Sequence, residues 1–222
     1  MLKGAIFDFN GTLFLDLNKQ ETAWRTFAQQ QFNKVITDTE FIEHFHGRNN
    51  RYSLEYLAGH TLTQAELNQL IDKKETTYRA LCKIDQENFH LTPGTALFLD
   101  DLKKSDYQIT IATASGWDNL NFYFQSFELD RWFDLQTVVY DDGQLKSKPD
   151  SDPYVKALNK LDLTAEQCVV FEDALSGVKS AGQAGIKRIV QINSTPQLKN
   201  TILWAHDFTS LSAMKINELL KL

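Results

Sequence analysis

The sequence predicts an α/β fold: a Rossmann-like parallel sheet core covered by helices, with an inserted all-helical cap domain. Three observations predict it. Short apolar runs rich in Ile, Val or Phe read as buried strands over Ala5–Phe9, Gln108–Ala112, Thr137–Tyr140, Cys168–Phe171 and Arg188–Ile192. Helical periodicity separates the last four, and strands alternating with helices imply a parallel sheet covered on both faces. Between about residues 15 and 87 this rhythm gives way to helical patterns with no clear strand. The expected division is therefore a core of residues 1–14 and 88–222 with a helical cap of residues 15–87.

The first strand runs into Asp8-Phe9-Asn10-Gly11-Thr12-Leu13. Ligands of open α/β sheets bind at the carboxyl ends of strands. A carboxylate there, followed by Gly and Thr, offers a nucleophile or metal ligand beside free backbone N–H groups. A turn capped by Asp and Asn is the plainer alternative. The insert then reads as helices over Lys19–Phe32, Asp38–Phe45, Ser53–Ala58 and Gln64–Cys82. Ala23, Trp24, Phe27 and Ala28 give the first an apolar face, and Thr63-Gln64-Ala65-Glu66 is a capping box for the last.

The second strand ends in Thr113-Ala114-Ser115-Gly116 and leads into a helix over Asp118–Phe127. Small residues and a hydroxyl before a helix N-terminus suit an anion, although an ordinary N-cap accounts for the serine as well. Next comes Lys148-Pro149-Asp150-Ser151-Asp152-Pro153. Pro149 is expected to hold Lys148 extended, and Pro153 fits the first turn of a helix over Asp152–Leu161. Lys148 would reach over a neighbouring strand end to neutralise phosphate or carboxylate; Lys146 is its decoy. The apolar run Cys168–Phe171 ends in Glu172-Asp173, before a helix over Leu175–Ala184 closed by Gly185. Two carboxylates after a wholly apolar strand are costly unless they meet a cation, and oxygen ligands of this kind suit magnesium. A helix N-terminus with acidic residues is the alternative, closest for Glu172. Carboxylate, hydroxyl, lysine and carboxylate pair follow one another on successive strand ends, so they can converge on one rim.

The net charge is −6 and the pI about 5.4, which argues against a general nucleic-acid binder. A small phosphorylated metabolite remains compatible, since local cations and a metal would hold it. No apolar run approaches the roughly 20 residues that span a bilayer, so no membrane partner and a cytoplasmic location are expected. A monomer or weak dimer is anticipated. Cys82 and Cys168 are far apart, and neither a bridge nor a zinc site is supported.

These residues resemble the haloacid dehalogenase superfamily, in particular its β-phosphoglucomutase-like group with a helical cap. The motifs are Asp8–Leu13, Ser115, Lys148-Pro149 and Glu172-Asp173, and the likeness covers nearly the whole chain. The resemblance implies that Asp8 attacks phosphorus to form an aspartyl-phosphate. It implies Mg²⁺ bound by Asp8, the main-chain carbonyl of Asn10, Asp173 and, directly or through water, Glu172. Ser115 with Gly11, Thr12 and Gly116 would bind the transferring group, and Lys148 would balance its charge. In the cap, Trp24, Gly47 and Lys74 fall where the group's cap residues often face substrate, and the run Gly47-Arg48-Asn49-Asn50-Arg51, with Arg48 and Asn50 as candidate contacts, resembles its substrate-specificity loop. Cap core for Trp24 and a solvated helix face for Lys74 are the competing readings.

Most relatives carry aspartate at the position of Asn10, where it serves as general acid and base. An amide cannot titrate; Asp16, just past the motif, is a carboxylate that could act in its place, the less favoured reading. Mutases of the group typically place arginine where Asn50 stands. The leading expectation is a phosphatase acting on a small phosphomonoester, perhaps a sugar phosphate, and slowed by Asn10. A β-phosphoglucomutase-like phosphomutase and a catalytically weak phospho-ligand sensor are the alternatives.

Overall fold

A six-stranded parallel sheet in the order β3-β2-β1-β4-β5-β6 forms the centre of the chain. The computed structural model describes residues 3–194 and 196–220. The strands are β1 (Lys3–Phe7), β2 (Tyr107–Gly116), β3 (Val139–Asp141), β4 (Cys168–Glu172), β5 (Ile189–Ile192) and β6 (Leu203–Ala205). Every pairing is parallel. The α/β class expected from alternating strands and helices is the class observed.

Strand bounds shift from the sequence reading where burial and pairing end at different residues. Phe9 is buried but lies beyond β1. The last strand, β6, was not anticipated. Its sequence Leu203-Trp204-Ala205 is short and half exposed, so it carries little apolar periodicity. Helices α5 (Thr95–Lys104) and α9 (Ala213–Leu219) were also missed.

Alternate residues of the central strands point to opposite faces of the sheet. Ala5, Phe7, Val169 and Phe171 join one core, whereas Ile6, Cys168 and Val170 join the other. Phe7 stacks on Phe171 at 4.6 Å and meets Phe98 edge-on at 6.3 Å. Helices α7 (Asp152–Leu161) and α8 (Leu175–Gln183) supply Tyr154, Ala157, Val178 and Ala181 to the second core. The full burial of β4 explains its unbroken apolar run.

Between β1 and β2 lie α1 (Leu17–Phe32), α2 (Asp38–His44), α3 (Asn50–Ala58) and α4 (Gln64–Ile84). They gather Trp24, Phe27, Phe41, Phe45, Leu54 and Leu67 into a separate apolar cluster. The capping box at Thr63 and Glu66 is present. A second begins α2, where Glu40 accepts from the backbone N–H and hydroxyl of Thr37 at 2.9 and 2.7 Å, and from Tyr56 at 2.8 Å.

The Thr37 and Tyr56 hydrogen bonds pull the Glu40 carboxyl down to about 2 from an ordinary 4.5. A lowered carboxyl stabilises the fold fully above its unfolded value and loses that contribution as pH falls through its folded one. Glu40→Gln is therefore expected to flatten the acid dependence of unfolding between those pH values. Thermal melts of both proteins across that window check it.

Candidate active site

The site begins where β1 stops. The Asp8 N–H donates to the Phe171 carbonyl at 2.9 Å, carrying the strand pairing one residue further. The chain then turns sharply, with Gly11 at φ +80 and its N–H donating to Asp16 Oδ1 at 2.9 Å. A Cβ on Gly11 would stand 2.0 Å from Asp173 Oδ2. Both the backbone conformation and the neighbouring carboxylate therefore require glycine.

At the end of β4, Glu172 is completely buried. Its Oε2 accepts from the backbone N–H groups of Asp173 and Ala174, both at 2.9 Å. Its Oε1 accepts from Lys148 at 2.5 Å and Tyr154 at 2.9 Å. Gly177 makes room for this carboxylate, since a Cβ there would lie 1.6 Å from Oε1. Lys148 bridges Glu172 and Asp8 Oδ1, the latter at 2.7 Å. The peptide bond between Lys148 and Pro149 is cis. Lys146, by contrast, is exposed and sits 3.8 Å from Asp150.

Asp173 completes the group. It accepts from Thr12 Oγ1 at 3.0 Å and lies 2.8 Å from His46 Nε2. Oxygens of Asp8, Glu172 and Asp173 all fall within 4.8 Å of one another. Burial drives the Asp8 carboxyl well above its ordinary value; Lys148 opposes this, while Glu172 and Asp173 reinforce it. Burial alone would lower Lys148, but Asp8 and Glu172 outweigh it and hold the ammonium charged. Lys148 meets Asp8 and Glu172 while His46 meets Asp173, and the three clustered carboxylates form an oxygen donor set that a hard, oxygen-binding cation suits. The donor set and the close space at Gly11 fit Mg²⁺.

A cleft opens above these groups. Asp8, Asn10, Gly11 and Ser115 line it from the sheet side; Trp24, Gly47, Arg48, Asn50 and Lys74 line it from the helical insert. Two expected substrate contacts lie elsewhere. Thr12 is wholly buried and turned onto Asp173, and Gly116 borders a neighbouring cavity. Thr113 lines the cleft instead, two residues before Ser115 in the same strand end. The solvated-face reading of Lys74 is overturned. It is buried, donates to Gln20 at 2.8 Å and to Glu75 at 3.1 Å, and lies 4.6 Å from the Trp24 ring. Trp24 both lines the cleft and belongs to the insert's apolar cluster. Arg48 reaches the cleft, but its guanidinium is committed to the Lys148 and Glu43 carbonyls.

The profile of the family described as haloacid dehalogenase-like hydrolase matches residues 5–191. The chain belongs to that family. Within it, this haloacid dehalogenase-like hydrolase is 27% identical over 221 residues to hexitol phosphatase A of Escherichia coli, covering 96% of this chain and 94% of that protein. It is 26% identical over 189 residues to the phosphorylated carbohydrates phosphatase of Thermotoga maritima, covering 85% and 84%. The β-phosphoglucomutase of Bacillus subtilis is 27% identical over 191 residues, covering 83% and 81%, in keeping with the β-phosphoglucomutase-like group. A solved family IA, variant 3 hydrolase from Entamoeba histolytica superposes with a TM-score of 0.85 at 30% identity, covering both chains in full.

Around Asn10 this hydrolase carries an arrangement that the motifs did not disclose. Asn10 Nδ2 donates to Asp16 Oδ2 at 2.6 Å, to Tyr123 at 2.9 Å and to Tyr78 at 3.3 Å. Its Oδ1 accepts from Ser115 Oγ at 2.8 Å. Asp16 is completely buried and also receives the Tyr78 hydroxyl at 2.5 Å and Gln20 at 3.2 Å. Burial pushes its carboxyl up, and these donors oppose the rise. Hydrogen bonds thus run from Lys74 through Gln20, Asp16 and Asn10 to Ser115. His46, Glu75 and Gln20 were not singled out in the sequence. His46 had one signal, its place beside Gly47.

Proposed function

We propose that this hydrolase is a Mg²⁺-dependent phosphatase that releases phosphate from a small phosphomonoester, with a sugar phosphate the favoured class. The observation that carries the reading is the buried group of Asp8, Glu172 and Asp173 at the adjoining ends of β1 and β4, met by Lys148 from the loop before α7, beneath a cleft. The relatives named as carbohydrate and hexitol phosphatases support the substrate class. We read residues 15–87 as a cap over the core of 1–14 and 88–222.

In this reading Asp8 attacks phosphorus. The new O–P bond forms as the bond to the leaving oxygen breaks, the leaving oxygen takes its proton from solvent water, and a further water later cleaves the aspartyl-phosphate to restore the carboxylate and release phosphate. Phosphoryl transfer of this kind depends mainly on positioning and on charge stabilisation at the phosphoryl oxygens. Lys148 holds Asp8 Oδ1 and offsets negative charge, with Glu172 and Tyr154 fixing its ammonium. Ser115 and the backbone near Gly11 orient the group. Asp8, Asp173 and the Asn10 carbonyl would hold Mg²⁺, which supplies charge neutralisation at the transferring phosphoryl group. Glu172, with both oxygens engaged, suits contact through water. Asn10 positions but cannot supply a proton.

Phosphate release from a panel of metabolite phosphates, with Mg²⁺ and with chelator, tests the reading. Release that depends on Mg²⁺ is expected, and chelator should remove essentially all of it. Interconversion of glucose phosphates without net release would favour the mutase. Thermal stabilisation by a phospho-ligand without any turnover would favour the sensor. Against the mutase, the insert offers the Asn50 amide, bonded to Glu75 at 2.8 Å, where that activity calls for a cation.

A further inference from the structure

We infer that Asn10-Gly11 is a latent self-modification site, where Asn10 would lose its amide as ammonia, and that Asp16 keeps it silent by holding both nitrogens the reaction uses. The inference concerns the covalent fate of this turn and does not depend on the phosphatase reading. Asn10-Gly11 is the one asparagine–glycine pair of the sequence. Glycine carries no Cβ to shield its own backbone nitrogen, so that nitrogen can approach the preceding side chain closely. In the reaction the Gly11 nitrogen bonds to Asn10 Cγ and the Cγ–Nδ2 bond breaks. The amide nitrogen leaves as ammonia with the proton that Gly11 gives up. Water then opens the cyclic imide, giving aspartate from one side and isoaspartate from the other.

The fold restrains each participant. The Gly11 N–H is shared between the Phe14 carbonyl at 2.7 Å and Asp16 Oδ1 at 2.9 Å. The other oxygen of the same carboxylate, Oδ2, accepts from Asn10 Nδ2 at 2.6 Å. One buried side chain therefore grips the attacking nitrogen with one oxygen and the leaving nitrogen with the other. Tyr123, on α6 (Trp117–Phe127), accepts from the amide at 2.9 Å, and Ser115 Oγ donates to Asn10 Oδ1 at 2.8 Å. The amide is thus fixed at both its nitrogen and its oxygen. Attack requires Gly11 to leave Phe14 and Asp16, and departure of ammonia requires Nδ2 to leave Asp16 and Tyr123.

Asp16 is itself steadied from the helical insert, by Gln20 of α1 at 3.2 Å and Tyr78 of α4 at 2.5 Å. Protection of the amide therefore depends on these two helices staying docked against the turn. Loss of the amide would damage the site in either form. Aspartate at position 10 would face the Asp16 carboxylate, and isoaspartate would add a main-chain carbon two residues from Asp8. Asn10 lines the cleft, so the water that opens the imide has a route to it. The turn thus holds a labile pair whose survival reports whether the surrounding hydrogen bonds are intact.

The test follows the tryptic peptide of residues 4–19 by mass spectrometry, reading amide-to-acid conversion and using fragmentation to place it at Asn10 rather than Asn18. The full chain is incubated folded and in urea at one pH and temperature. The folded chain is expected to convert about a hundredfold or more slowly than the chain in urea, because reaction is confined to molecules open at this turn. Asp16→Ala should convert about tenfold or more faster than the parent chain while folded, the scale of a lost hydrogen bond to a charged group. Tyr123→Phe frees the amide on one side and leaves Gly11 held, so it should accelerate conversion less. Equal rates folded and in urea would overturn the inference. So would an unchanged rate in folded Asp16→Ala, and a slower one would make the carboxylate a promoter of cyclisation instead of its guard. Where Asp16→Ala fails to fold, an unchanged rate in Tyr123→Phe overturns it equally.

Discussion

Asp8→Asn is expected to lower phosphate release by roughly four orders of magnitude or more, the scale on which removal of a covalent nucleophile acts. An amide does not attack phosphorus, and the other buried carboxylates are committed. Glu172 faces Lys148, Tyr154 and two backbone N–H groups, and Asp173 faces Thr12 and His46. The fold should survive, because the substitution also removes a carboxylate that burial and its acidic neighbours disfavour. Lys148→Met is the informative contrast. It leaves Asp8 and Glu172 buried without their shared cation, and breaking such a pair costs about 3–5 kcal/mol. Phosphate assays alongside thermal unfolding separate the two outcomes: lost chemistry with a near-normal melt for Asp8→Asn, and lost chemistry with a strongly lowered melt for Lys148→Met. A substantial residual rate in Asp8→Asn would remove the covalent mechanism.

The second large effect concerns Asn10. Restoring aspartate there looks, from sequence, like a simple gain of the missing acid and base. The structure changes that expectation. Asn10 Nδ2 lies 2.6 Å from Asp16 Oδ2, so Asn10→Asp would set two carboxyl oxygens against each other in a buried site. The single variant is expected to lose about 1–3 kcal/mol of stability, the cost of an unsatisfied buried acceptor, and to gain little rate. Asn10→Asp combined with Asp16→Asn reverses the amide and the carboxylate, keeping a donor and an acceptor in contact. The double variant is expected to recover stability and to raise turnover of sugar phosphates by roughly 10²–10⁴-fold, the usual reach of general acid–base catalysis. Aryl phosphates, with good leaving groups, should gain less. Rates and melts for the single and double variants form a cycle that reads the coupling directly. A single variant as fast and as stable as the double would show that Asp16 does not constrain this position.

Much of this was legible in the chain. Buried parallel strands announce themselves as apolar runs, so β1 to β5 were found; β6 and α9 leave weak patterns. Asp8, Glu172 and Asp173 stood out because carboxylates after an apolar run are anomalous, and Lys148 because Pro149 and the helix opened by Pro153 frame it. Thr12 was misplaced because sequence neighbours of a nucleophile need not share its outlook: the turn at Gly11 sends this hydroxyl toward Asp173. Asp16 and His46 gave only a position beside a motif residue, and Glu75 gave no local signal. Each acquires meaning from a partner distant in sequence, Tyr78, Asp173 and Asn119 respectively. Such partnerships belong to tertiary structure, which short spacing rules do not encode.

The pairing of Phe7 with Phe171 reaches beyond packing. Because those rings face each other in register, the residues that follow them, Asp8 and Glu172, leave the sheet at the same height and can share Lys148. The two phenylalanines thus act as a ruler for the chemistry above them. Deleting one residue from β1 would offset the carboxylates by a strand step of about 3.3 Å and turn alternate side chains to the other face.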